Sequence, residues 1–257
     1  MYRYERKYYL SGEDYGYVRT LILNHPASFR TDFFSRMINN IYFDTPGFDF
    51  FYDNVNGDYI RKKIRIRWYD ETFGQQKKLT LEYKLKNGLL GDKISYPLAD
   101  IFTGKGFEIG QMRNEIKSCQ LPIQVANELL TNYPTLLNRY VREYFISDDD
   151  KCRITLDKDL SFFRIHSGKN HFNTCYNLSG DVIMEMKYDP CNEPVANAIS
   201  QKFPFRITKS SKYVIGVQNL YAIVWQAEQN YRNVHYGNAR FDNIKIEKWN
   251  FIIGNRN

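Results

Sequence analysis

The stretch "RKKIRIRWYD", residues 61–70, places Arg61, Lys63, Arg65 and Arg67 at every second position, with Lys62, Ile64, Ile66 and Trp68 between them. Successive side chains of a strand point to opposite faces, so this reads as a β-strand with four cations on one face and a largely apolar row on the other. A lone strand of this kind turns its charges to water. Whether these charges do so depends on the strands around them.

Working outward, the same alternation recurs. Arg3, Glu5 and Lys7 alternate in "RYERKYYL", Glu82, Lys84 and Lys86 in "LEYKLK", Arg153, Thr155 and Asp157 in "RITLD", and Glu185 and Lys187 in "EMK". The reverse rows hold Ile64, Ile66, Trp68, Leu81, Leu85, Ile154, Leu156, Met184 and Met186. Outer faces that apolar need a cover of helices, and the charged faces then turn inward. A desolvated, unpaired charge costs several kcal/mol. An inward wall of Arg and Lys therefore calls for carboxylates, a strongly anionic ligand, or both. Phosphate chains suit it, because Arg grips them through bidentate hydrogen bonds and Lys acts as a point charge. The expected fold is α+β: a closed antiparallel β-barrel with helices packed outside and a C-terminal helix.

The remaining segments fill in that frame. "DYGYVRTLILNHP" predicts a short helix stopped by Pro26, and "NNIYFDTPG" a strand running into a Pro-Gly turn. Asn87-Gly88 is a turn signal, with "LLGD" lengthening the loop beyond two residues. "LPIQVANELLTNYP" has helical spacing. "NRYVREYFIS", "KCRITLDKDL", "DVIMEMKYD" and "PFRITKSS" read as strands, and "YVIGVQNLYAIVWQAEQNY" as a last helix. One domain is expected over residues 1–233, followed by a tail, 234–257, of unassigned structure.

The net charge of +7 favours anionic partners. Cys119, Cys152, Cys175 and Cys191 show no CxxC spacing, which removes zinc and dithiol redox motifs, and His25, His166, His171 and His235 are scattered. The first residues, "MYRYERKYYL", have no signal-peptide pattern, and no apolar run approaches the ~18 residues that span a bilayer. A soluble cytoplasmic protein is expected.

Taken in order, "RYERKYYL", "IYFDT", "RIRWYD", "LEYKLK", "RYVREYF", "RITLD", "VIMEMKYD" and "ITKSSKYVIG" span residues 3 to 216. Together they resemble the vacuolar transporter chaperone (VTC) domain, the polyphosphate polymerase branch of the CYTH, or triphosphate tunnel metalloenzyme, superfamily. The resemblance implies a barrel whose lumen takes triphosphate and a divalent metal. It matches Lys7 to the basic residue of the first strand, and Arg65 and Arg67 to the paired arginines that grip nucleotide phosphates. Lys84 and Arg142 match tunnel cations, Glu185 the carboxylate for Mn²⁺ or Mg²⁺, and Lys209, Ser211 and Lys212 the K-x-S-K element before the closing helix.

Arg65, Arg67, Lys84, Arg142 and Lys212 are thus expected to be catalytic. Lys7, Lys63, Lys86, Arg153, Lys187, Lys209 and Ser211 are expected to bind substrate. Glu5 and Glu82 read as charge partners, and Asp157 is open between a second metal contact and a strand-end turn. One departure is Arg3, which stands where superfamily hydrolases carry the first Glu of E-x-E-x-K. The implied activity is ATP-dependent polyphosphate synthesis by γ-phosphoryl transfer. The partners would be ATP and inorganic polyphosphate, not nucleic acid, with room for a separate membrane partner. A triphosphate hydrolase, a non-catalytic polyphosphate binder and a nucleic-acid-binding β protein are the alternatives. The last of these would carry its charges on an outer face.

Overall fold

The computed structural model describes residues 3–88 and 90–222. The strands are β1 (Tyr4–Leu10), β2 (Arg30–Asp44), β3 (Ile60–Tyr69), β4 (Gly74–Gln76), β5 (Thr80–Asn87), β6 (Leu90–Pro97), β7 (Ile101–Thr103), β8 (Phe107–Glu108), β9 (Tyr133–Ile146), β10 (Cys152–Arg164), β11 (Lys169–Asn170), β12 (Cys175–Leu178) and β13 (Val182–Tyr188). The helices are α1 (Tyr15–Leu23), α2 (Asp49–Asn56), α3 (Ile109–Lys117), α4 (Ile123–Thr131), α5 (Glu193–Ser200) and α6, which covers residues 212–222. The rest of the predicted last helix, and the tail from 234, lie outside the described residues.

Nine strands form one antiparallel sheet in the order β1-β13-β10-β9-β2-β3-β5-β6, with β12 paired to β10. The sheet is not closed, which corrects the expected barrel: β1 and β6 are its two edges. Alternation specifies which face of each strand is apolar, but it does not specify who pairs with the edges. At β1 two of the edge groups are already used. The Thr208 backbone N–H donates to the Lys7 carbonyl at 2.7 Å, and the Tyr9 N–H donates to Thr208 Oγ1 at 2.8 Å. The segment "PFRITKSS", predicted as a strand, is thus an irregular strap along this edge. It blunts the edge, as exposed strand edges require.

The apolar reverse rows are buried as expected, except for Leu85, which is half-buried. Ile64, Ile66, Trp68 and Leu81 pack under Met112 and Ile116 of α3 and Leu129 of α4. Ile154, Leu156, Met184 and Met186 pack under Val18 and Ile22 of α1 and Ala196 and Ile199 of α5. α1 starts where Asp14 Oδ1 accepts the Tyr17 N–H at 2.8 Å, and ends at Asn24 ahead of Pro26.

The third core cluster lies on the other, charged side of the sheet. Tyr42, Leu136, Tyr140, Phe162 and Ile183 pack against Tyr213, Val217 and Leu220 of α6 and Phe51 of α2. Not every helix is therefore outside. α6 covers part of the inner face, and buried Asp44 fixes it there. The Asp44 carboxylate accepts backbone N–H groups from Thr45, Phe50 and Phe51 at 2.8–2.9 Å and the Tyr213 hydroxyl at 2.5 Å. The β5–β6 hairpin is tighter than predicted. Asn87 pairs with Leu90, leaving two residues between them, and Gly88 takes φ +60 against the Tyr59 ring.

Candidate active site

The register of the sheet assembles the charged rows. Across β3 and β5, Arg61 faces Lys86, Lys63 faces Lys84, and Arg65 faces Glu82. Across β1 and β13, Lys7 faces Glu185 and Glu5 faces Lys187, while Asp157 of β10 faces Arg142 of β9. These groups are not a solvated face: Arg65, Glu82, Arg142, Asp157, Glu185 and Lys212 are all buried. The sheet is thus covered on both sides, apolar under the helices and charged on the inner face.

Three linked groups make up the cluster. In the first, Arg65 Nε and Nη2 donate to Glu82 Oε2 at 2.7 and 2.5 Å, and Nη1 donates to Tyr42 Oη at 3.2 Å. Arg67 donates to Asn40 Oδ1 at 2.9 Å and to Tyr140 Oη at 3.4 Å, with Glu82 3.8 Å away. Burial alone would raise the Glu82 carboxyl, but Arg65 and then Arg67 hold it well below the usual carboxylate range.

In the second, Arg142 grips Asp157 with two bonds of 2.5 and 2.7 Å, and Lys212 Nζ lies 2.5 Å from the same carboxylate. Asp157 is therefore not a strand-end turn residue, because it lies inside β10 and is shared by two cations. It neutralises the two cations, which lower its pKa against the effect of burial. Tyr140 lies between them, with Lys212 Nζ 4.8 Å and the Arg142 guanidinium 5.3 Å from its ring centroid. Burial raises the phenol, yet Arg142, Arg67 and Lys212 together bring it below its ordinary value.

The third centres on Glu185. Oε1 lies 3.4 Å from Lys7 and 3.7 Å from Lys212, and Oε2 lies 3.3 Å from Lys187 and 3.7 Å from Arg142. Glu5 stands beside it, 3.3 Å from Lys7 and 3.5 Å from Lys187. Against burial, these cations hold Glu185 well below the carboxylate range.

Two cations lack such partners. Lys63 donates to Ser211 Oγ at 3.0 Å, and among the described residues neither Lys63 nor Lys84 has an ion-pair partner. Burial, then Lys7, pushes Lys63 down to about 7, and burial, then Arg65, pushes Lys84 well below the lysine range. Glu5 of β1 and Glu185 of β13 are among the charges that act on Lys84, both opposing the downward shift.

Most of the residues singled out in the sequence therefore come together: Lys7, Lys63, Arg65, Arg67, Lys84, Arg142, Glu185, Lys187, Ser211 and Lys212. Lys86 is half-buried at the margin, where burial and then Lys7 lower its pKa. Arg153 is exposed at the rim opposite Lys187, and Lys209 is exposed on the strap, outside the cluster. Sequence reasoning missed Asn40, Tyr42, Asn138 and Tyr140. The signal was present, because Asn138, Tyr140 and Arg142 alternate on one face, as do Asn40 and Tyr42.

For a metal, Glu185 with Glu5 is the available donor set; among the described residues no three or more His, Cys, Asp or Glu side chains form a ligand group. Such a set does not make a protein-only cage. It fits a hard cation that takes its other ligands from a phosphate substrate, the usual mode for Mg²⁺. No helix among the described residues is long and apolar enough to cross a membrane.

A family model, the VTC domain, matches residues 2–221. Comparison with curated proteins finds no match. Among solved structures, the PH1819 protein from Pyrococcus horikoshii OT3 is similar at 16% identity and TM-score 0.45, covering 85% of this chain and 99% of its own. A candidate adenylate cyclase from Vibrio parahaemolyticus has 12% identity and TM-score 0.44, covering 82% and 97%. Another, from Bacillus halodurans, has 14% identity and TM-score 0.39, covering 79% and 89%.

Proposed function

Because the chain belongs to the VTC-domain family, we propose that it is an ATP-dependent polyphosphate polymerase, transferring the γ-phosphoryl group of ATP to the end of a growing inorganic polyphosphate chain. The observation that carries this reading is the excess of enclosed cations. Among the described residues, Lys7, Lys63, Arg65, Arg67, Lys84, Arg142, Lys187 and Lys212 face only Glu5, Glu82, Asp157 and Glu185. Lys63 and Lys84 stay unmatched, and a phosphate chain supplies the missing negative charge in a repeating form.

Phosphoryl transfer needs little covalent help. Positioning in line and stabilisation of charge do most of it. The ionised end of a phosphate chain is already a nucleophile, so a site without histidine is adequate. In this reading Arg65 and Arg67, held rigid by Glu82, Asn40 and Tyr42, orient the triphosphate. Arg142 and Lys212, locked by Asp157, stabilise charge on the transferring group, and Lys63 and Lys84 hold the neighbouring phosphates. Glu185, with Glu5, would hold Mn²⁺ or Mg²⁺ against phosphate oxygens, and the ion would supply further charge neutralisation. We place the protein in the cytoplasm.

The test is incubation of the purified chain with ATP and Mn²⁺, with and without chelator. Long polyphosphate with stoichiometric ADP supports the proposal. Free phosphate in place of chains makes the protein a hydrolase, and binding without turnover makes it a carrier.

A further inference from the structure

The inner face continues beyond its charged cluster. In register, Lys7, Glu185, Thr155, Tyr144 and Phe33 follow one another across β1, β13, β10, β9 and β2. The row begins cationic and ends aromatic. At the aromatic end the Arg36 guanidinium lies 4.2, 4.7 and 5.3 Å from the ring centroids of Tyr69, Phe33 and Tyr144, and its Nε donates to Tyr144 Oη at 3.2 Å. Among the described residues Arg36 has no carboxylate at ion-pair distance.

Phe33 and Phe34 stack at 4.1 Å and 30°, yet are 42% and 66% exposed. Between these rings and Glu185 lies Thr155, whose buried Oγ1 has no hydrogen-bond partner among the described residues. A stacked, exposed aromatic pair with the Arg36 guanidinium beside it, and a hydroxyl without a partner among the described residues, thus border one line that leads into the charged cluster.

Resting on the polymerase reading, we propose that Phe33, Phe34, Arg36, Tyr69 and Tyr144 form the nucleoside subsite for ATP. The base stacks on the exposed Phe33–Phe34 pair. The α-phosphate end passes Arg36 and the Thr155 hydroxyl, and the terminal phosphates reach Arg142 and the Glu185 group. From Phe33 to Glu185 the row crosses three strand intervals, about 14 Å at the usual strand spacing, a span comparable with an extended nucleoside triphosphate. Every base has a π-face, so such a platform reads a base without needing to contact its edge.

The test compares two ligands that differ in the nucleoside: the β,γ-imido analogue of ATP and inorganic tripolyphosphate, each titrated calorimetrically into the full chain with Mg²⁺. For Phe33→Ala/Phe34→Ala, the imido analogue should bind at least about 5-fold more weakly, the lower end of base stacking. Tripolyphosphate affinity should stay as in the wild type. Phe33→Trp should keep or tighten analogue binding. An equal change for both ligands, or none for either, overturns the subsite and leaves the phosphate site standing. If neither ligand binds the wild type, the polymerase reading fails, and the subsite with it.

Discussion

Lys63 of β3 and Lys84 of β5 face each other directly across the sheet, and among the described residues neither has a carboxylate partner. Like charges opposite each other on one sheet face are destabilising, and burial adds to the penalty. The pair is held in place by the fold rather than contributing to its stability, which is the behaviour of a site prepared for an anion.

The pH dependence follows from Lys63. Its pKa is pushed down to about 7, below the ordinary 10.5, so at pH 8 it is largely neutral in the free protein. Phosphate oxygens favour the ammonium form, so binding takes up protons, and affinity for tripolyphosphate should fall as pH rises above about 7. Between pH 7 and 10.5 the unfolded chain holds more protons at this lysine than the folded one. Its contribution to the free protein's stability should therefore rise with pH in that window, opposite to the trend in affinity. Calorimetry in buffers of different ionisation enthalpy measures the proton uptake directly.

Removing one member of the pair should separate stability from binding. Lys84→Met keeps most of the side-chain volume and deletes a charge with no partner. The free protein should become more stable, with a higher thermal midpoint, while tripolyphosphate binds more than about tenfold more weakly, the loss of roughly 1.4 kcal/mol or more expected for a charged hydrogen bond. A variant that is both less stable and full in affinity contradicts this account of the cluster.

Asp157 is the converse case. It is fully buried and matched to Arg142 and Lys212. Asp157→Asn leaves two enclosed cations without their anion, and breaking a buried pair costs about 3–5 kcal/mol. The urea midpoint should fall accordingly, while Lys151→Ala, whose partner Asp149 is at the surface, should leave it nearly unchanged.

Much of this site was legible because a two-residue period is a local property. The alternation in "RKKIRIRWYD" and "EMK" named both the buried row and the charged row. Edge pairing was not legible, because it depends on where a distant segment lies: Thr208 occupies the β1 edge from 199 positions away in sequence relative to Tyr9. Asp157 was ambiguous for the same reason, since its role is set by Arg142 and Lys212 arriving from β9 and α6. α2, α3 and α5 were not legible in the sequence: none has a side-chain N-cap hydrogen bond to mark its start, whereas α1 has Asp14. Lys209 shows the limit of motif matching. It shares a four-residue stretch with Ser211 and Lys212, but the strap leaves it exposed while α6 carries Lys212 inward.

Glu185→Gln tests the metal role through the Mn²⁺ requirement of turnover. The amide keeps the shape and loses the charge that four cations share. If this carboxylate holds the divalent ion, the Mn²⁺ concentration for half-maximal turnover should rise at least about tenfold, and saturating Mn²⁺ should restore part of the activity. A lower turnover with an unchanged Mn²⁺ requirement would make Glu185 a charge partner only.

Gly216 lets α6 sit close against the sheet. Gly216 lies where a Cβ would come within 2.6 Å of both Leu136 Cδ2 and Phe162 Cδ1. Both of those side chains are fully buried on the sheet face. Gly216→Ala should improve helix propensity slightly, by up to about 1 kcal/mol, but overpacking of a filled core costs typically ~1–3 kcal/mol, and that term should win. The helix can relieve the contact only by shifting away from the sheet, and Lys212 and Ser211 would move with it. The variant should thus lose both stability in urea and affinity for tripolyphosphate. Val214→Ala, a truncation on the same helix at a half-buried position, should leave the affinity intact. Equal loss of affinity in both variants would mean that the seat of the helix at Gly216 does not set the position of Lys212.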